Sequence, residues 1–164
     1  MRRPGQLAQR REQRVGIVDE TRRRVGQAEG EGGVVAQFAS RMARREPPTI
    51  FGSGTQTRDF IFVADVVNAC VRAAEFEGVL ALPGANGPAY NISTGRATSV
   101  NMLAEGLRVT MRYPGAVDHA DARAGDVEES VLSPEKAARV FGWHAVVELQ
   151  TGLGGTAAWF MQQR

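Results

Sequence analysis

The chain has 164 residues, a net charge of +2, 43% hydrophobic and 23% charged residues, and one cysteine, Cys70. This composition is typical of one globular domain and excludes a disulfide within the chain. With His119 and His144 as the only histidines, we expect no structural zinc site. No apolar run is long enough to cross a membrane and no apolar leader follows Met1, so we expect a cytoplasmic protein.

The N-terminal segment differs in charge from the remainder of the chain. Residues 1–24 contain eight arginines and three acidic residues, so they carry +5 while the other 140 residues carry −3. Clustered arginine neutralises phosphate, which makes a nucleic-acid-binding arm one hypothesis. The segment has few apolar residues and no aromatic residue to stack on a base, which favours a solvated, poorly ordered tail. We predict an arginine-rich disordered head over residues 1–29 and a folded body over residues 30–164.

The body begins with helical and then extended patterns. Apolar residues from Val34 to Ala43 recur at helical spacing, and Pro47 and Pro48 end that helix. The residues 49–51 (TIF) and 60–63 (FIFV) have the composition of short strands.

Asp65 is the predicted N-cap of a second helix, with Cys70 as a small core residue on its apolar face. The apolar residues expected to be buried are Val66, Val67, Ala69, Cys70, Val71, Ala73 and Ala74. Residues 82–88 (LPGANGP) form a predicted loop, and residues 89–92 (AYNI) a strand that leaves it.

The last third of the chain contains three predicted helices. Ser99 opens the first, which covers Val100 to Leu107, and residues 109–113 follow as a short strand. Residues 118–126 are polar and aperiodic, which indicates a loop. Ser133 and Pro134 predict the N-cap and first residue of a helix that ends at Gly142. The final predicted helix, over residues 149–161, buries Leu153, Ala157, Trp159 and Phe160. The whole pattern predicts a small mixed α/β fold.

Two loop arginines have glycine neighbours, Arg58 in GSGTQTRDF and Arg123 in ADARAGD. A guanidinium binds phosphate oxygens through paired hydrogen bonds, and glycine lets a ligand approach the backbone. Two such arginines from separate loops can clamp a diphosphate. The alternative is surface ion pairing, of Arg58 with Asp59 and of Arg123 with Asp121 or Asp126.

Other catalytic or metal chemistry has weaker signals. The two histidines have no partner for nucleophilic catalysis, so we predict structural or exposed roles. A magnesium site is a hypothesis for the acidic residues near the second arginine, although a solvated acidic loop is commoner. These acidic residues are Asp118, Asp121, Asp126, Glu128 and Glu129.

Four motifs occur in a recognisable order. They are EPPTIFGSGTQTRDFIFVADVV (46–67), YNISTG (90–95) followed by Ser99-Val100, RAGD (123–126) and SPEKAARVFGW (133–143). Together they resemble the C-terminal part of the NAD-dependent epimerase/dehydratase family, the extended short-chain dehydrogenases, and within it the bacterial UDP-glucose 4-epimerases. The resemblance implies a small α/β substrate-binding lobe that lacks most of the Rossmann domain.

The resemblance also implies roles for individual residues. Arg58 of the TRDF motif and Arg123 of the R-x-G-D motif would bind the nucleotide diphosphate, and Asp126 would face a ribose hydroxyl. The other implied positions are Thr49, Ile50 and Phe51 along the uracil, largely through backbone groups, Val34 near the sugar nucleotide, Gln56 as a further contact, and Asn91 as a tie between loops.

The family's redox chemistry requires a glycine-rich turn that seats the NAD pyrophosphate, and a tyrosine followed four residues later by lysine. Neither occurs in the 164 residues. We therefore expect a truncated member that retains UDP-sugar binding, lacks catalytic residues, does not bind NAD alone and is inactive alone. Two alternatives stay open: a module that completes a separately encoded Rossmann chain or a homodimer, and an arginine-rich nucleic-acid binder.

Overall fold

The structure is a computed structural model, and it describes residues 33–78 and 89–163. The predicted head and the predicted loop at residues 82–88 lie outside the described residues. The chain divides into two units, Met1–Gln37 and Phe38–Arg164. Of the first unit, the structure describes residues 33–37.

The described residues form a mixed α/β fold, as predicted. The helices are α1 (Val34–Ala43), α2 (Val63–Glu75), α3 (Val100–Thr110), α4 (Glu135–Phe141) and α5 (Leu149–Gln162). The strands are β1 (Thr49–Phe51), β2 (Thr57–Arg58), β3 (Thr98–Ser99), β4 (Asp118–Ala120) and β5 (Glu129–Ser130). One sheet pairs β1 with β4 in parallel, and a second has the order β3-β2-β5, with β2 antiparallel to β3 and parallel to β5.

The predicted strands at residues 60–63 and 89–92 are wrong. Neither segment pairs with a β-strand of the described residues. The strand nearest to residues 60–63 in the sequence is β2, which is two residues long. Ile61, Tyr90 and Ile92 pack against a buried cluster that includes Trp143. These runs are apolar because they fill space beside helices, which gives the same composition as a paired strand.

The predictions at residues 109–113 and 118–126 are also wrong in part. Val109 and Thr110 complete α3, and the chain then turns at Arg112, whose φ is 48°. β4 lies inside the segment predicted as a loop, where Asp118 pairs with Thr49 of β1. All three residues of β4 are exposed, so the strand has no alternation of apolar and polar residues from which it could be predicted.

The helices largely confirm the predictions, with caps at the expected places. The Ser99 hydroxyl accepts a hydrogen bond from the Met102 amide (3.1 Å), and Gly142, with φ 62°, ends α4. The N-cap of α4 is Pro134, one residue later than predicted. In α5, the predicted burial of Trp159 is wrong, because this residue is 44% exposed and packs edge-on against Phe160.

The N-terminus of α2 differs from the prediction. Its N-cap is Phe62, and Asp65 is a buried residue of the first turn. The Asp65 carboxylate accepts hydrogen bonds from the Val146 amide (3.2 Å) and the Val147 amide (3.0 Å). The backbone carbonyl of Asp65 accepts a hydrogen bond from the indole N–H of Trp143 (3.1 Å). Asp65 therefore holds the segment after α4 against α2, where a cap was expected.

The predicted apolar face of α2 is mostly exposed. Ala69 is buried, whereas Cys70 is exposed and the prediction of a core cysteine is wrong. We define the α2 apolar face by its exposed members, which lie at helical spacing: Val63, Val67, Cys70, Val71 and Ala74.

The principal helix contact is between α3 and α5, and Gly106 allows their close approach. A Cβ at this position would lie 2.9 Å from Leu153 Cδ1. The largest fully buried side chains are Trp143, Phe38, Met42, Leu103, Leu107 and Pro48. Ile50 of β1 is also buried (2% exposed), and this anchors the strand whose C-terminal end borders the site described next.

Candidate functional site

A cavity of about 590 Å³ lies beside the C-terminal end of β1. The loop from β1 to β2 forms one wall and the segment from β4 to β5 forms another. Its lining residues include Phe51, Gln56, Arg123 and Asp126, and also Glu128 and Glu129. The two sequence motifs that contain the candidate arginines therefore meet at one cavity, although about 65 residues separate them in the chain.

Asp126 is held by two side chains of the β1–β2 region. Arg58 Nη2 donates to its Oδ1 (2.5 Å), and Gln56 Nε2 donates to its Oδ2 (3.3 Å). Arg58 Nη1 also donates to the carbonyls of Val127 (2.6 Å) and Thr57 (2.8 Å). Much of the Arg58 guanidinium is therefore committed to fixing residues 126–127 against β2.

Arg123 has a different environment. Its Cζ lies 3.8 Å from the centroid of the Phe51 ring, a cation–π contact. In the described part of the chain, no ion pair joins Arg123 to Asp121 or Asp126. The Arg123 guanidinium lies at the cavity, and no carboxylate of the described residues forms an ion pair with it.

The predicted pairing of Arg58 with Asp59 is wrong, and so are both pairings predicted for Arg123. Asp59 instead accepts hydrogen bonds from the Thr94 amide (2.9 Å), the Thr94 hydroxyl (2.5 Å) and the Gly95 amide (2.8 Å). Three donors on neighbouring residues satisfy this carboxylate, which leaves Arg58 to Asp126.

The other predicted site residues lie at differing distances from the cavity. Phe51 and Gln56 line it, whereas the Ile50 side chain belongs to the core and Thr49 is half-buried in β1. Val34 begins α1 and belongs to the first unit, so its role stays a prediction. The predicted tie by Asn91 is confirmed, since its Nδ2 donates to the Ser133 carbonyl (3.2 Å).

The glycines that neighbour the two arginines in the sequence shape the loops of the site. Gly52 and Gly54 have φ of 74° and 75°, and Gly125 has φ of 80°. These left-handed conformations favour glycine. A Cβ at Gly54 would also lie 2.6 Å from Asn101 Cγ, while Asn101 Nδ2 donates to the Ser53 carbonyl (3.0 Å). The GSG and AGD motifs of the sequence indicate turns at these positions.

The acidic residues near Arg123 do not form a metal site. Within residues 33–78 and 89–163, no group of three acidic, histidine or cysteine side chains is placed to hold a metal ion, so the magnesium hypothesis has no structural support. His119 Nδ1 lies 2.9 Å from the Gly52 carbonyl, which is a structural role. No helix among the described residues has the length and apolar character that a bilayer crossing requires.

Comparison with known proteins relates the chain to one family. A model of the NAD dependent epimerase/dehydratase family matches residues 22–93. UDP-glucose 4-epimerase from Mycolicibacterium smegmatis is 35% identical over 131 residues, which are 80% of this chain and 40% of that protein. The chain thus matches the NAD dependent epimerase/dehydratase family, which is the family that its motifs predicted.

Solved structures agree with this assignment. The crystal structure of UDP-glucose 4-epimerase from Thermotoga maritima, solved with UDP-glucose, is 40% identical with a TM-score of 0.71, and the match covers 81% of this chain and 40% of that one. The protein MoeE5, solved with UDP-glucuronic acid and NAD, is 30% identical with a TM-score of 0.69 over 80% of this chain and 42% of that one. The chain thus spans about 40% of the length of each of these three relatives.

Proposed function

We propose that this chain binds the nucleoside diphosphate part of a UDP-sugar in the cavity beside β1, as the substrate-binding part of a UDP-glucose 4-epimerase-like protein. The observation that carries the proposal is the meeting of Arg123 and Asp126 at one cavity in a chain of this family. The cation suits a diphosphate, and the carboxylate suits a sugar hydroxyl.

Three charged residues near the cavity have different proposed roles. Arg123 leaves the Phe51 ring, or turns upon it, to bind phosphate oxygens through its planar guanidinium. Three N–H groups of Arg58 form hydrogen bonds within the protein, so Arg58 binds the diphosphate only through its remaining N–H groups. Asp126, already oriented, accepts a hydrogen bond from a ribose hydroxyl.

The uracil would lie along β1. Among the described strands, β1 pairs with β4 alone. The backbone N–H and C=O groups on the opposite edge of β1 therefore have no strand partner among the described residues. Ile50 directs its side chain into the core, which supports a role for residues 49–51 through their main chain. A pyrimidine edge has the donors and acceptors to pair with such a strand edge.

The described glycine turns and the tyrosine spacings of the sequence do not fit NAD. Gly52 and Gly54 follow a strand, but they lead into β2, and the pyrophosphate of a dinucleotide requires a glycine turn that opens a helix. Tyr90 is followed four residues later by Thr94, and Tyr113 by Val117. We expect the 164-residue chain to catalyse no interconversion of UDP-glucose and UDP-galactose when NAD is supplied. Turnover in a coupled assay would contradict this part of the proposal.

Isothermal titration with UDP and UDP-glucose tests the binding function. Wild-type protein should bind both, and Arg123→Ala should weaken both. Arg108→Ala is the matched control, because Arg108 bonds only locally to Glu105 on α3. The proposal is wrong if the wild type binds neither ligand, or if Arg123→Ala and Arg108→Ala bind equally well.

A second candidate function is suggested by the α2 apolar face. Val63, Val67 and Val71 are 64%, 55% and 46% exposed, and a contiguous exposed apolar patch commonly marks an interaction surface. The proposed partner is a separately encoded polypeptide that carries the NAD-binding fold of this family. Val67→Glu should abolish co-purification with such a partner, whereas Val109→Glu, on the 60% exposed Val109 of α3, should not. Equal behaviour of the two variants would exclude this candidate.

A further inference from the structure

Gln56 lies between two elements of the proposed site. Its Nε2 donates to the Phe51 carbonyl (2.9 Å) and to Asp126 Oδ2 (3.3 Å). Phe51 is the residue whose ring contacts Arg123, and Asp126 lines the cavity together with Glu128 and Glu129. One amide therefore connects the residue beneath the cation to the carboxylate beside it.

The chemistry of this amide limits what it can do for a ligand. A primary amide has two N–H donors, and both partners of Gln56 are acceptors. Both donors are used within the protein, which leaves the carbonyl oxygen. An oxygen acceptor cannot bind a phosphate oxygen, so Gln56 has no group suited to the diphosphate.

Asp126 has complementary needs. Arg58 bonds Oδ1 and supplies the compensating charge, and Gln56 bonds Oδ2 without adding charge. Each carboxylate oxygen accepts more than one hydrogen bond, so Asp126 keeps acceptor capacity for a ligand hydroxyl. With one donor on each oxygen, the plane of the carboxylate is fixed.

We infer that Gln56 is a positioning residue that orients the Asp126 carboxylate toward the ribose hydroxyls of the ligand. This inference rests on the proposed function. It replaces the predicted direct contact of Gln56 with the ligand. It also explains the residue type, because glutamate here would place a second carboxylate against Asp126, and an apolar residue would leave Oδ2 unpaired.

The test compares two ligands, UDP and 2′,3′-dideoxy-UDP, by isothermal titration with wild type and Gln56→Met. Methionine has similar length but no donor. The variant should bind UDP about tenfold more weakly, since a hydrogen bond to a charged group is at stake. Binding of the dideoxy ligand should change less than about twofold, because that ligand offers Asp126 no hydroxyl.

Two further variants separate positioning from general damage. In an Asp126→Ala background, Gln56→Met should have no effect on either ligand, because the residue acts through the carboxylate. Gln162→Met, on the exposed end of α5, is the matched control and should leave both affinities unchanged. The ratio of the two affinities within one preparation does not depend on the fraction folded, so partial unfolding of a variant cannot produce the expected pattern.

The outcomes are distinguishable. If wild-type protein binds neither ligand, the proposed function fails and the inference fails with it. If the wild type binds UDP but Gln56→Met leaves UDP affinity unchanged, or weakens both ligands equally, only the positioning role is wrong. An undiminished effect of Gln56→Met in the Asp126→Ala background would equally overturn it.

Discussion

Arg58→Ala and Arg123→Ala should separate stability from binding, although the sequence presents the two arginines alike. Arg58 forms an ion pair with Asp126 and donates to two backbone carbonyls, and its side chain is 27% exposed. Its loss removes three bonds and leaves Asp126 without its cation. The Arg123 side chain is exposed and contacts the Phe51 ring. Among the described residues, it forms no ion pair.

The magnitudes follow from these contacts. The Arg58–Asp126 pair is partly exposed, so solvent screening reduces it to roughly 1 kcal/mol, and the hydrogen bonds to carbonyls add about 0.5–1.5 kcal/mol each. Arg58→Ala should therefore lower the free energy of unfolding by about 2–4 kcal/mol, which lowers Tm by roughly 5 °C or more. Arg123→Ala loses a cation–π contact of about 0.5–1 kcal/mol at an exposed site.

Affinity for UDP should respond differently. Loss of a charge-assisted, paired phosphate contact costs about 2–3 kcal/mol, so Arg123→Ala should weaken UDP binding roughly 30-fold or more. Arg123→Lys keeps the charge without the planar fork and should recover only part of the affinity.

Differential scanning calorimetry gives the stability of each variant, and isothermal titration at a temperature where all are folded gives the affinity. Equal Tm for Arg58→Ala and Arg123→Ala would refute the structural role of Arg58. An Arg123→Ala protein that loses Tm but keeps UDP affinity would reverse the assignment of the two residues.

Three further predictions concern the fold itself. Gly54→Ala should destabilise the protein by about 2 kcal/mol or more in urea unfolding, because residue 54 has a left-handed φ of 75° and a Cβ there would overlap the Asn101 side chain; an unchanged urea midpoint would contradict this. Gly154→Ala should stabilise by about 0.5–1 kcal/mol, because residue 154 is inside α5 and, apart from the adjoining helix backbone, no described atom lies within 4 Å of the position that a Cβ would occupy; a lower Tm would be the contrary result. The hydrogen bond from Arg108 lowers the pKa of Glu105 below its usual 4.5, so this pair stabilises the fold above about pH 4.5, and that contribution is lost as pH falls through the lowered pKa. NMR titration should show the Glu105 pKa rise toward 4.5 in Arg108→Ala, and an unmoved pKa would exclude the contact.

Helices could be predicted from the sequence because their determinants are local. The apolar spacing of α1, the Ser99 cap of α3 and Gly142 after α4 all act within a few residues of themselves. The strands are two or three residues long, too short for periodicity, and their positions depend on partners far along the chain. β4 shows this most clearly, because Asp118 pairs with Thr49 and has no local strand signal.

The candidate site was predictable in its residue types but not in its pairings. Glycine-flanked arginine indicated anion chemistry at Arg58 and Arg123 before any fold was known. The partner of Arg58 was misassigned to the adjacent Asp59, because sequence proximity was the only available criterion. In the structure, three donors at residues 94–95 satisfy Asp59, and Arg58 reaches Asp126, 68 residues away.

The pairing of Arg58 with Asp126 explains how a carboxylate can lie beside a proposed diphosphate site. A carboxylate beside a bound diphosphate repels it unless a cation compensates the charge, and that repulsion is strongest where water is excluded. Arg58 supplies this compensation on one oxygen of Asp126, and Gln56 occupies the other without adding charge. Arg123 then remains as the cation whose charge faces the cavity. In the proposed function, the site therefore offers Asp126 as an acceptor for a sugar hydroxyl and Arg123 as a cation for the diphosphate, and one arginine alone could not both compensate Asp126 and bind the diphosphate.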